Sequence, residues 1–370
     1  NADGLGSYAR LCIPGGELMS TFNKAVPAAL LLFGGVLAAC GSSSSASSTS
    51  PASTSTTAAA PKQLTNITMV EAVSAPAYAP VTLAKSAGFF KKNGLNVTVI
   101  PLQAGSTAAE AMVGGSAQFD AGVASDALLA DSRGLNLISI AALTNSINLD
   151  IEINKTYADA HGITSTESLK NRLLALKGAK IGITAPGSIT DLAVRYMLNS
   201  VGLKAVTDYH EVAVGAPAAN LTALKADAIQ ATIFDPSYSE LATQQGVGIL
   251  GIQASEFPVL KDAAFGAVIT TKKYAQNNPQ IVKEVATAFA QVNNFILDHP
   301  KQSLADIEKL YPSISPTILA YSIPKYHFAR NASTTATAWK NVAQIFVQNG
   351  SLSASQAANA TTEFTNRYVP

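Results

Sequence analysis

Four histidines, two cysteines and scattered carboxylates are the residues of this sequence that could do chemistry, and their spacing argues against most of it. His161, His210, His299 and His327 include no i, i+4 pair that would put two imidazoles on one helix face to hold a metal. Glu211 and Asp298 adjoin two of them, but sequence neighbours point in different directions. There is no G-x-S-x-G nucleophile elbow, no P-loop and no G-x-G-x-x-G turn. Both cysteines, Cys12 and Cys40, precede the regularly patterned body, which therefore has no thiol, disulfide or cysteine metal site. The body is expected not to be an enzyme and to need no metal and no cofactor.

Binding chemistry is better represented. Four loops read as strand-to-helix turns: Ala75-Pro76-Ala77-Tyr78, Gly105-Ser106-Thr107, Ser125-Asp126, and Ala185-Pro186-Gly187-Ser188-Ile189-Thr190-Asp191. Turns of this kind combine free backbone N–H groups, the positive end of a helix and short hydroxyls, which together cradle polar groups. Thr107-x-x-Glu110 also fits a capping box, and Ser188-x-x-Asp191 fits one more loosely. Capping suffices for any single loop. Several such loops at sheet ends in repeated units favour a shared cleft, and a capped helix still leaves N–H groups for a ligand.

The elements that must carry these loops alternate. Asn66–Val73 reads as a β-branched strand, and Val81–Lys92 as a helix stopped by Asn93-Gly94. Strand Asn96–Pro101, a helix to about Val113, strand Gln118–Gly122 and a helix from Ser125 follow. Alternation in short units implies an α/β fold with mostly parallel sheet and right-handed crossovers. The pattern then recurs. Gly94-Leu95 is echoed at Gly202-Leu203, and Ser125-Asp126 at Asp235-Pro236. Gly105-Ser106-Thr107-Ala108-Ala109 is echoed 110 positions later by Gly215-Ala216-Pro217-Ala218-Ala219. Two copies make two lobes, too few for a solenoid. From Thr271 onward the chain is helical, with a core stripe at Ile281, Val282, Val285, Phe289, Val292, Phe295 and Ile296. Further helices are expected at Ser303–Tyr311, Ser315–Ser322, Thr334–Gln348 and Ser353–Arg367.

With 370 residues, 48% hydrophobic and 13% charged, the chain can bury a substantial core. Lys+Arg 25 against Asp+Glu 24 leaves a net charge of +1, with no basic cluster to draw nucleic acid or an anionic membrane. Met19 opens a segment with Lys24 and the apolar run Ala25–Ala39. That run is shorter than the roughly 20 residues a membrane span needs and has the length of a signal-peptide core. It closes on Leu37-Ala38-Ala39-Cys40-Gly41, which resembles a bacterial lipobox. The resemblance implies cleavage before Cys40 and a diacylglyceryl anchor on its thiol, since one acyl chain alone holds only marginally. An ordinary signal peptide with an incidental cysteine is the alternative. Residues 40–63 then form a Ser/Thr/Ala-rich tether. Residues 1–18 fit none of this and are expected to be translated upstream sequence, Gly15-Gly16-Glu17 being what a purine-rich ribosome-binding site would encode.

Three stretches carry a wider resemblance: Ala87-Gly88-Phe89-Phe90-Lys91-Lys92-Asn93-Gly94-Leu95, Ala185–Asp191 and Phe234-Asp235-Pro236. Together they resemble the nitrate/sulfonate/taurine-type substrate-binding proteins of ABC importers, a group that also binds thiamine-precursor pyrimidines and aromatic acids. The resemblance covers Ile67–Thr270 well and the helical remainder loosely. It implies a type II periplasmic-binding-protein fold, in which two α/β lobes joined by two crossing segments close on a ligand. The crossings would lie near Leu149–Lys155 and Gly266–Thr271, giving lobe one as 64–153 with 268–370 and lobe two as 154–267. It further implies an exported monomer on the outer face of the cell membrane that presents a small molecule to a permease. Tyr78 would supply an aromatic wall, and Ser106, Thr107, Ser125, Gly187, Ser188 and Thr190 hydrogen bonds. Gly215 would allow close backbone approach. Asp126 and Asp235 are the acidic candidates, equally readable as surface or helix N-terminal acids. The loops hold no Arg or Lys, which counts against a tightly held oxyanion. Arg133 and Arg195 lie further along their helices. Two alternatives share the fold: a sensor that signals occupancy to a partner protein, and the pyrimidine-forming enzymes of the thiamine pathway, which carry a cysteine-rich motif absent from this body.

Overall fold

In the computed structural model the described residues are 63–71, 74–102 and 107–370. The upstream extension, the signal segment, Cys40, the tether to residue 62, and the turn residues Gly105 and Ser106 fall outside them. The strands are β1 Thr65–Glu71, β2 Leu95–Pro101, β3 Phe119–Val123, β4 Leu137–Ala142, β5 Asp150–Asn154, β6 Lys180–Ile183, β7 His210–Ala213, β8 Ala231–Phe234, β9 Gly248–Ile252 and β10 Gly266–Thr271.

They form two sheets of five with one shared plan, β2-β1-β3-β10-β4 and β7-β6-β8-β5-β9. In each, three parallel strands are followed by one antiparallel strand and an outer strand. β1 runs parallel to β2 and β3, and β6 to β7 and β8. The antiparallel members are β10, opposite β3 and β4, and β5, opposite β8 and β9. β3 and β8 are buried along their whole length, as strands covered on both faces must be.

The geometry of crossing explains the antiparallel strands. Parallel strands end along one edge, and chain arriving from the other lobe enters at that edge and must run back from it. Gly266 pairs with Val123, the last residue of β3, and Asp150 pairs with Phe234, the last of β8. The chain therefore joins the second sheet from Asp150, not from the expected 154, and rejoins the first from Gly266. The segments 143–149 and 253–265 make the crossings, and hydrogen bonds tie them together: Phe265 N to Thr144 O (3.3 Å) and Ile147 N to Leu260 O (2.9 Å).

Helical expectations hold with two exceptions. The pattern over Val81–Lys92 is broken at Gly88, whose φ of +79° ends helix Ala79–Ser86 before Phe89–Lys92 begins. The last expected helix, Ser353–Arg367, stops at Ala358, because residues 363–365 are drawn to the edge of β4. Ser139 N donates to Glu363 O, and Thr365 N to Ser139 O. The tail also reaches beyond lobe one. Helix Pro316–Ser322 packs on Pro236–Gln244, helix Ala336–Gln348 packs on Ile189–Asn199, and Asn349 donates to Leu192 O.

Helix Pro279–Asp298 lies against Ala79–Ser86, Phe89–Lys92 and β4, with Phe289 edge-on to Phe90 at 5.5 Å. Its stripe buries Val282, Val285, Phe289, Val292 and Ile296, each worth about 1.5–3 kcal/mol of transfer from water. One polar residue interrupts the stripe. Asn293, fully buried, donates to Ala142 O, Leu143 O and Ala329 O, so it pins the start of the first crossing. Asn293→Leu should remove these three bonds, leaving Leu143 O and Ala329 O only their backbone donors Ala329 N and Ala332 N, and cost roughly 1–3 kcal/mol in urea unfolding. A loss below about 0.5 kcal/mol would mean that the helix stripe, and not this bond set, fixes the crossing.

Candidate functional site

The strand ends of both sheets converge on a small cavity of about 50 Å³. Each strand end hands its chain to a helix or turn. β1 leads to the turn Pro76–Tyr78, β3 to helix Ala124–Ser132, the loop after β6 to helix Ile189–Asn199, and β8 to helix Pro236–Gln244. Leu149 and Phe265, each one residue before a crossing strand, complete the wall.

Of the residues expected from the sequence, Tyr78, Asp126, Ser188, Thr190 and Asp235 line this cavity. Ser106 lies outside the described residues. Ser125 is buried, with its hydroxyl unpartnered, on the first turn of its helix but not on the lining. Thr107 is exposed, off the lining, and does not cap helix Ala108–Val113, so the capping box expected there does not form. Gly187 and Gly215 adopt φ of +77° and +92°, a turn role that spares a side chain strain, and neither lines the cavity.

The loop after β6 is held by its own hydroxyls. Thr184 Oγ1 donates to Ser188 Oγ (2.7 Å), Ser188 Oγ donates to Ala185 O (2.7 Å), and Thr184 N donates to Thr190 Oγ1 (3.0 Å). Ser188 stands at the N-cap of helix Ile189–Asn199 without capping it through its side chain. Asp191 instead accepts from Gly187 N (2.7 Å) and pairs with Arg195, which also meets Glu211. Arg195 is thus committed away from the cavity. Arg133 lies on an adjoining groove that shares Asp126.

The electrostatics are acidic and dry. Burial raises Asp126, against the N–H of Val123 that donates to its Oδ2 at 3.2 Å. Behind it Asp120 is fully buried with both oxygens unpartnered, and burial, then the charge of Asp126, holds its carboxyl well above the usual range. Gly122 is required between them, because a Cβ there would collide with both carboxylates. Burial pushes Glu71, at the end of β1, up to about 8. Asp150 rises to about 6 through burial, offset by the N–H of Ala254 and by Lys325. Asp235 is raised by burial despite donations from Ser237 N (3.0 Å), Ser237 Oγ (2.5 Å) and Tyr326 OH (2.5 Å). Tyr78 sits among these groups, its hydroxyl driven up by burial and then by Asp126, Asp120, Glu71 and Asp235.

Sequence reasoning missed Glu71 and Asp120, and also Leu149, Thr184, Phe234, Phe265 and Tyr326. A usable signal existed for the first two, since each is a lone acid within an apolar strand run, Met69-Val70-Glu71 and Phe119-Asp120-Ala121. The others are recognisable only once the crossings and the tail are placed.

The model of the NMT1-like family matches residues 62–308. The chain belongs to that family. Its relatives include both a binding protein and an enzyme. It is 24% identical over 230 residues to the nitrate/nitrite binding protein NrtA of Synechocystis, covering 59% of this chain and 50% of that one. It is 25% identical over 257 residues to a 4-amino-5-hydroxymethyl-2-methylpyrimidine phosphate synthase of Candida albicans, covering 66% and 70% respectively. Among solved structures, the periplasmic nitrate-binding protein NrtA of Synechocystis superposes with a TM-score of 0.67 at 16% identity, over 82% of this chain and 87% of that one. The alkanesulfonate-binding protein SsuA of Xanthomonas axonopodis superposes with 0.63 at 18%, over 82% and 99%. This likeness is one of fold, and it is the periplasmic-binding-protein fold that the sequence resemblance implied.

The raised carboxyls have a consequence for stability. Glu71 titrates at about 8 when folded and near its ordinary 4.5 when unfolded, so the stability its buried neutral form permits is complete below 4.5 and is lost as pH rises towards 8. Glu71→Gln should therefore leave stability at pH 4 nearly unchanged and raise it by roughly 2–4 kcal/mol at pH 8. Chemical denaturation at both pH values checks this, and an equal effect at the two would refute the assignment.

Proposed function

We propose that this NMT1-like chain is an extracytoplasmic solute-binding lipoprotein of an ABC importer, tethered by lipid on Cys40, that holds a small ligand between its lobes and delivers it to a membrane permease. One observation carries the reading. The cavity takes its walls from both lobes at the edge where the chain crosses between them, so an occupant there would couple binding to the arrangement of the lobes. The binding-protein relatives and the lipobox-like segment support the same reading.

The pyrimidine synthase relatives favour a second reading, an enzyme on this fold, because their identities of 25% and 22% are similar to the 24% of the nitrate-binding relative. Against it, the chain has no cysteine after Cys40, and the buried acids of the cavity are accompanied by no histidine on the lining. A receptor needs only to bind.

A thermal-shift screen of the purified full chain against nitrate, sulfonates, aromatic acids, pyrimidines and amines tests the proposal. A ligand at about one hundred times its Kd should add about 2.7 kcal/mol to the folded state. Silence from every class would sink it. For whichever class binds, Tyr78→Phe should keep the melting temperature within a degree or two and weaken binding about tenfold, the scale of one lost hydrogen bond. Unchanged affinity would remove the Tyr78 hydroxyl from the site.

A further inference from the structure

We propose that the ligand of this cavity is a small organic cation, a protonated amine or amidine on an apolar body, and not an oxyanion. The inference rests on the receptor reading above and narrows it by charge.

An oxyanion in this fold would need backbone N–H groups at the loop ends or a cationic side chain. The chain's own carboxylates already occupy three of these seats. Asp126 Oδ2 takes Val123 N at 3.2 Å, Asp191 Oδ2 takes Gly187 N at 2.7 Å, and Asp235 Oδ1 takes Ser237 N at 3.0 Å. The hydroxyls that could have donated, Thr184, Ser188 and Thr190, are bonded to one another and to Ala185 O. No Lys, Arg or His lines the cavity.

What the cavity does present is negative charge set in aromatic walls. Asp126 comes from one lobe and Asp235 from the other, both over nine-tenths buried and both on the lining. Asp120 stands behind Asp126, wholly buried, with neither carboxylate oxygen partnered by protein. Tyr78, Phe234 and Phe265 are the aromatic residues of the lining, and an aromatic face stabilises a cation further. A buried carboxylate needs a compensating charge or a proton, and a cationic ligand supplies the first. A metal ion is the poorer occupant, because among the described residues no three His, Cys, Asp or Glu side chains converge to hold one.

The test compares three probes that share a ring and differ in charge: benzylamine, benzyl alcohol and benzoate, titrated into the full chain by calorimetry at pH 8. Benzylamine is expected to bind at least tenfold more tightly than the other two. Asp126→Asn and Asp235→Asn should each remove most of that preference while leaving circular dichroism and melting temperature near wild type, since amides keep the shape and shed a buried charge. Benzoate or benzyl alcohol binding as well as benzylamine would overturn the inference, as would benzylamine affinity indifferent to both substitutions. If nitrate or a sulfonate proves the binding class in the wider screen, the receptor reading stands and the cation inference falls. If no class binds at all, both fall.

Discussion

The interlobe edge depends on one constraint, the direction in which the chain can enter a sheet after leaving the other lobe. Parallel strands all finish on the same side, so a crossing segment arrives where they finish and can only be laid down antiparallel. β5 and β10 both obey this, and each begins opposite the last residue of a parallel neighbour. The consequence is local crowding. Val123, Phe234, Leu149 and Phe265 come within one small space because strand ends and crossing entries are the same place. A cavity between lobes is therefore a product of the topology, before any side chain selects what fills it.

That crowding sets the electrostatic cost. Strand ends that would face water in a single open sheet are buried by the second lobe, and the acids on them lose solvent without gaining cations. Asp120 and Asp126 are the sharpest case, since burial raises both carboxyls and the charge of Asp126 raises Asp120 further. Glu71 and Glu152 are buried on β1 and β5, and burial raises both. Nothing in the core packing requires these acids. Of the buried acids only Asp126 and Asp235 line the interlobe cavity, and an apolar residue in either place would fold more readily, so these two are better explained by what enters the cavity than by the fold.

Much of the architecture was legible in the sequence because it is local. The strand and helix alternation and the stripe of Pro279–Asp298 each follow from periodicity over a few residues. Tyr78, Asp126 and Asp235 could be found the same way, as loop residues at strand ends. What was not legible is non-local. Whether Asp150–Asn154 belongs to the first sheet or the second depends on pairing with β8 and β9, which no short window contains. Asp120 and Glu152 each sit inside an apolar run, but which face of a strand is covered is decided by the far side of the molecule. Thr107 illustrates the opposite error: its motif is right for a cap, yet its side chain makes no cap bond to the short helix it precedes.

The tail is the least predictable part and bears most directly on movement. Tyr326 lies ninety-one positions from Asp235, yet its hydroxyl donates to Asp235 Oδ1 at the cavity wall. Helix Pro316–Ser322 packs on the helix that Asp235 caps, while Pro279–Asp298 packs on lobe one. The tail thus grips both lobes, and any opening must either break the Tyr326–Asp235 bond or carry this part of the tail along with lobe two. Breaking it would remove one of the three donors that counter the burial of Asp235, so opening bears directly on that carboxylate. A ligand can close such a cleft only by its differential affinity for the closed arrangement. An occupant whose charge compensates Asp126 and Asp235 together meets that condition, because the two carboxylates come from different lobes and line one cavity.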